Sequence, residues 1–168
     1  MKVTTTGVWL RRLVVADRPL VRAMHRRCSS ETLRRRCLQP VCASGQDRVA
    51  DALVDWMFDP RVGVTIAAIP SGADRIVGLG HLVRTDDAGV GAVGFLVEDA
   101  WQRRGVGALL VDRVSEQAVA DGYRRIVGDV LPENEAMLRI LRRRQWSVLR
   151  RDGACDVTRD VVGLDAAG

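Results

Sequence analysis

The chain has 168 residues, of which 47% are apolar and 28% charged, and its formal net charge is +5. That balance excludes a disordered tail and fits one globular domain able to bury a core, expected over 1–168 with frayed ends at 1–8 and 165–168. The charge is carried almost wholly by arginine, Lys2 being the only lysine, and it favours anionic partners such as phosphates, acidic proteins or nucleic acid.

Trp9 to Val15 reads as a first strand. Asp17 with Pro19 then reads as a helix cap followed by an early helical proline, and the helix continues from Leu20 to Cys28. Ser30 is expected to cap a second helix running to Leu38, which Pro40 stops. Val49, Leu53, Trp56 and Met57 recur at helical spacing, so Gln46 to Phe58 is a third. After Pro60 the texture changes to β-branched runs: strands are expected over Val62–Ile69, Arg75–Arg84 and Val90–Val97, with turns at Ser71-Gly72 and Asp86–Gly89. A long helix from about Gly105 to Ala120 ends at Gly122. Arg124–Leu131 is a buried strand, Asn134–Arg144 a helix, and Trp146–Arg150 and Cys155–Val162 form a closing hairpin around Asp152-Gly153. The expected fold class is therefore mixed α/β, a mostly antiparallel central sheet flanked by helices.

Cys28, Cys37, Cys42 and Cys155 form no Cys-x-x-Cys pair and there are two histidines, so no metal site is expected. No apolar stretch follows Met1 that would serve as a signal peptide, and no apolar run is long enough for a membrane span. A cytoplasmic protein with reduced thiols is the expectation.

The chemistry is concentrated after the third of the central strands, in Gln102-Arg103-Arg104-Gly105-Val106-Gly107-Ala108. A buried strand ends in a tight loop that opens a helix. Glycines 105 and 107 let an anion approach the main chain, and the first helical turn offers unpaired N–H groups and the positive end of the dipole. Arg103 and Arg104 add charge at its mouth. There is no Gly-Lys-Ser/Thr and no Gly-x-Gly-x-x-Gly, so neither a nucleoside triphosphate loop nor a dinucleotide fingerprint is present. On these residues alone, an anion cradle and close helix–sheet packing are both open readings.

In the order of its elements the sequence resembles the GNAT superfamily of acyl-CoA-dependent N-acetyltransferases. Its signature, Gln/Arg-x-x-Gly-x-Gly/Ala after the fourth strand, is met by Gln102, Gly105 and Gly107, and its asparagine opening a later helix by Asn134 in Pro132–Leu138. A narrower likeness is to the GNAT domains of bacterial protein-lysine acetyltransferases, through Ser30–Arg36 before Pro40 and the Met137-Leu138 helix running to Trp146. The resemblance implies that the loop from Gln102 to Ala108, Val106 included, cradles the pyrophosphate of acetyl-CoA. It implies that the pantetheine arm pairs with Phe95, Leu96 and Val97 like an added strand, and that Asn134, with Met137 beside it, holds that arm. A backbone N–H near Val97 would then stabilise the oxyanion of the thioester. Asn134 also fits a plain helix N-cap.

The implied reaction is direct attack of an amine on the thioester, which needs a base for the ammonium. The family's usual glutamate and tyrosine positions are Ala92 and Leu141 here. Replacement catalytic candidates are Glu98, Glu133 and His81; against these stand a solvated loop carboxylate, an acid favouring a helix N-terminus, and a satisfied strand histidine. Tyr123 reads as packing and Cys155 as a buried thiol. Arg139, Arg142 and Arg143 share a helical face, either solvated or meeting the coenzyme's 3′-phosphate. The arginines at 22, 26, 27 and 34–36 fall on the early helices, the acceptor side in this family. Expected partners are an amine acceptor, a protein lysine or a small molecule, with the chain as monomer or homodimer. Nucleic acid is disfavoured, because Trp9, Trp56, Trp101 and Trp146 are not interleaved with the basic segment. The alternative function is a non-catalytic acyl-CoA-binding regulatory module.

Overall fold

A computed structural model describes residues 7–37 and 54–161. Seven strands form one sheet in the order β1-β2-β3-β4-β5-β7-β6. They are β1 (Val8–Arg12), β2 (Gly63–Pro70), β3 (Gly78–Arg84), β4 (Val90–Val97), β5 (Arg125–Val130), β6 (Ser147–Arg151) and β7 (Ala154–Asp160). Only β4 and β5 run parallel; every other neighbouring pair is antiparallel. The described helices are α1 (Arg18–Arg27), α2 (Ser30–Cys37), α3 (Val106–Ala120) and α4 (Glu135–Arg143), with a helical turn at 54–57. None is long and apolar enough to cross a membrane.

Strand alternation sorts the apolar residues onto two faces. Ile66, Ala68 and Leu82 point to a core shared with Val106, Leu110 and Val114 of α3 and Leu138 and Leu141 of α4. Ala67, Ile69, Leu79 and Leu96 point the other way, to Val21 and Met24 of α1 and to Val54 and Met57. Helix α3 lies close on β3 because two glycines leave room: a Cβ on Gly78 would stand 3.0 Å from Leu110 Cδ1, and one on Gly80 2.8 Å from Val114 Cγ2. That approach fixes where the first turn of α3 sits.

Several expected boundaries shift for identifiable reasons. The first strand begins at Val8, fully buried and paired with Pro70 rather than frayed, and ends at Arg12, where a 3-10 turn over Val15–Asp17 intervenes. Asp17 occupies the cap position of α1, but its carboxylate turns back to accept from Arg11 Nη1 and Nη2 (2.5 and 2.6 Å) and Val14 N–H (2.8 Å). The hydroxyl capping α2 belongs to Ser29, which accepts from Thr32 N–H, and Ser30 is already helical. Strand β3 starts at Gly78, three positions later than Arg75, whose Nη2 donates to Glu98. The expected end of the second helix at Pro40, most of the third helix, and the tail from Asp165 lie outside the described residues.

The Asp17 carboxyl is held below the usual carboxylate range chiefly by the hydrogen-bonded Arg11 guanidinium. Its stabilisation is therefore complete above the unfolded pKa of about 3.9 and is lost as pH falls through the lower folded value. Asp17→Ala is expected to cost about 1.5–3 kcal/mol at neutral pH. In urea titrations the gap between variant and wild type should close as pH falls below about 4.

Candidate active site

The site grows from a broken pairing. β4 and β5 pair only at Val90↔Arg125, Gly91↔Ile126 and Ala92↔Val127, while β4 stays paired to β3 through Val97 and β5 to β7 through Val130. Past Ala92 a gap opens. Arg84 N–H donates to Val62 O, Glu98 N–H donates to Val77 O, and with the β3–β4 register this turns the peptide groups of Val93, Phe95 and Val97 toward the gap. Among the described residues no strand pairs with Phe95 or Val97 on that side, so β4 presents an extended edge that a chain-like ligand can join.

The loop after β4 is built to aim main-chain donors at the end of that edge. Arg103 and Gly105 both hold positive φ, 58° and 83°, and the chain doubles back to start α3. The first intrahelical bond runs from Leu109 N–H to Gly105 O, so the N–H groups of Val106, Gly107 and Ala108 have no acceptor within the helix. Gln102 is anchored within the protein. Its Nε2 donates to Val97 O (3.1 Å) and to Thr32 Oγ1 (3.0 Å), pinning the loop to β4 and to α2. Asp99 reinforces the pin, accepting from Ser29 N–H (2.9 Å), Ser29 Oγ (2.7 Å) and Thr32 Oγ1 (2.9 Å). Burial pushes its carboxyl up, but these donors outweigh it and hold it below the usual range.

Two cavities occupy the gap and meet at Arg35, Phe95, Asn134 and Met137, which line both. The outer one, about 490 Å³, is walled by the β4 edge, the Gln102–Ala108 loop and α4. Of the residues expected there, Phe95, Leu96, Val97, Gln102, Arg103, Gly105, Gly107, Ala108, Asn134 and Met137 line it. Val106 does not, since its side chain is buried under α3, and Arg104 stacks over the Trp101 ring at 5.1 Å instead. Arg139 and Arg143, one turn apart, line the cavity with no acidic partner among the described residues, whereas Arg142 does not line it. Thr32, Arg35 and Arg144 line it too; Arg144 is tied to Asp112. Asn134 caps α4, its Oδ1 accepting from Met137 N–H at 3.3 Å.

The inner cavity, about 580 Å³, lies between β4, β5 and β7. Ala92 and Leu141 both line it, so the two positions that resemble the family's base and acid sites present apolar side chains to it. The expected replacements are elsewhere engaged. Glu98 is no solvated loop carboxylate: it is buried, takes Arg27 Nε at 3.0 Å and Arg75 Nη2 at 2.5 Å, and lines neither cavity. Glu133 is exposed and accepts from Arg34 Nη2 at 2.7 Å, which holds its carboxyl below the usual range. His81 is buried on β3, its Nδ1 2.9 Å from Thr65 Oγ1. Tyr123 packs toward Gly91, and Cys155, on β7, is a buried thiol in the core.

Glu98 is thus a structural hub. Its removal would leave Arg27 and Arg75 crowded together, and since both still reach water, Glu98→Ala is expected to cost about 2–3 kcal/mol in urea denaturation. A change under about 0.5 kcal/mol, the range of ordinary surface substitutions, would return it to the solvated class.

Comparison with solved structures places this architecture among known folds. The GNAT domain of S. lividans PAT superposes with a TM-score of 0.72 at 24% identity, over 90% of this chain and 89% of that one. Spermidine N-acetyltransferase from Vibrio cholerae, solved with CoA and spermine, gives 0.73 at 11% identity over 93% and 96%. A cAMP-binding acyltransferase from Mycobacterium smegmatis gives 0.63 at 23% over 97% of this chain and 47% of that longer one. At these identities the likeness is one of fold. The Acetyltransferase (GNAT) family model matches residues 29–145, most of the sequence and all of the gap-forming elements from α2 to α4, and the chain belongs to that family.

Proposed function

We propose that the protein transfers acetyl from acetyl-CoA to an amine by direct attack within a ternary complex. The observation that carries this reading is the unpaired β4 edge running into three acceptor-less N–H groups at the start of α3. An edge of that kind suits the amide-bearing pantetheine arm, which can pair as a strand would, and the helix start suits the pyrophosphate. Arg103, Arg139 and Arg143 surround the outer cavity with positive charge suited to the coenzyme's phosphates. The thioester then falls near the junction of the two cavities, between Phe95 and Asn134, with the inner cavity left for the acceptor.

Acceptors that fit are a protein lysine or a small-molecule amine. Helix α2 bridges the gap from above, its Arg34 reaching Glu133 on the far side, so an acceptor must enter beside that bridge. The apolar side chains of Ala92 and Leu141 favour one competing reading, a domain that binds acyl-CoA without turning it over.

Incubation with acetyl-CoA and a panel of amines, read by thiol release, separates the two. Turnover with at least one acceptor is expected; tight coenzyme binding with no turnover on any of them would establish the binding module instead. The cradle is tested at Gly107 rather than Gly105, whose φ of 83° would strain any side chain. A Cβ at Gly107 meets only Ile140 Cδ1 at 3.4 Å and Val97 Cγ2 at 3.9 Å, so the fold tolerates it. Gly107→Glu puts a carboxylate where the pyrophosphate would lie and should weaken acetyl-CoA binding at least about 100-fold by calorimetry. The same change should raise helix stability by up to about 1 kcal/mol. Unchanged affinity would remove the loop from the coenzyme site.

A further inference from the structure

We propose that Asp129 receives the acceptor's ammonium group and takes its proton, an assignment that rests on the acetyl-transfer reading. Two carboxylates line the inner cavity, Asp129 and Asp156. Asp156 is ion-paired with Arg151, and Asp129 has no ion-pair partner among the described residues. Asp129 stands on β5 two positions beyond Val127, the last residue of that strand to pair with β4. It therefore lies inside the gap, on the strand facing the edge along which the thioester would run. In the β5–β7 ladder Asp129 is directly opposite Asp156, so among the described residues this end of the cavity carries two carboxylates against a single paired guanidinium, that of Arg151, while Arg35 stands at the junction with the outer cavity. Such an anionic end draws in a cation and repels carboxylate or phosphate groups.

The class of acceptor follows: a primary amine that is protonated in solution and carries no anionic group next to it. The ammonium gives one proton to the Asp129 carboxylate. The nitrogen lone pair then forms the C–N bond to the thioester carbonyl carbon, and the C–S bond breaks as the tetrahedral adduct collapses. The coenzyme thiolate takes the second proton leaving the nitrogen, and Asp129 returns its own to solvent. The products are the N-acetyl amide, the coenzyme thiol and one proton.

The test uses the full chain with the best amine of the panel. Asp129→Asn should lower kcat about 10²–10³-fold, the range for loss of a positioned base, with the acetyl-CoA Kd within about twofold of wild type. Asp129→Glu should recover part of the loss, since it restores the carboxylate one methylene further out. Amines bearing a neighbouring carboxylate should be poorer acceptors for wild type than their neutral-flanked counterparts. If Asp129→Asn fails to bind acetyl-CoA, Asp129→Ser is measured in its place by the same criteria. A variant with kcat and amine KM within threefold of an active wild type overturns the assignment alone. A wild type that turns over no amine overturns the acetyl-transfer reading and this one with it.

Discussion

The two central strands each keep one neighbour and give up the other, and the rest of the site depends on that. β4 follows β3 to Val97 and β5 follows β7 to Val130, each through antiparallel ladders longer than the three-residue parallel contact between them. Parallel pairing is also slightly weaker per residue, so the β4–β5 seam is where a twisting sheet gives way. An open seam inside a sheet would ordinarily be a liability, since it exposes unpaired backbone groups. Here it is roofed by α2 and walled by α4, which leaves it accessible to a ligand but not to another sheet.

Keeping the seam open at a fixed width is the work of side chains far apart in sequence. Gln102 holds Val97 O, the one carbonyl at the tip of β4 that would otherwise seek a partner, and passes the constraint to Thr32. Asp99 holds Ser29 and Thr32 of the α2 cap. Glu98, on the opposite face, locks the same strand end to Arg27 of α1 and to Arg75. Three anchoring functions are thus packed into Glu98, Asp99 and Gln102. A loop held on three sides costs little reorganisation when an anion arrives.

The succession of strands along the chain and the helix start at Gly105 were legible because hydrophobic period and glycine placement are local signals, whereas the order of the strands within the sheet was not. The outer cavity was nearly so: the resemblance supplied ten of its lining positions, and Arg139 and Arg143 were visible as a helical pair. What stayed hidden depends on long-range partners. Glu98 looks like a loop acid until Arg27, 71 positions away, is brought against it. Ser29 and Ser30 are interchangeable as caps on sequence grounds, and only the geometry chooses. Asp129 follows the apolar run of Ile126 and Val127 on β5 and carries no motif; the role proposed for it comes from the register that sets it opposite Asp156 and from the seam that leaves its side open.

The apolar residues at 92 and 141 weigh differently on the two proton transfers. A lysine-like amine with pKa about 10.4 is neutral in well under one molecule in a thousand at pH 7, a handicap of about 4–5 kcal/mol that a positioned base must offset. A thiol of pKa about 8.5 is close enough to neutrality for its thiolate to leave unassisted, so a missing acid costs far less. Leu141 is fully buried against the core and contributes to its packing. The inner cavity is lined by a carboxylate on β5, that of Asp129, across the seam from Ala92 on β4. On the proposed reading, an apolar side chain at Ala92 is compatible with turnover, because Asp129 on the neighbouring strand carries the charge that the deprotonation step requires.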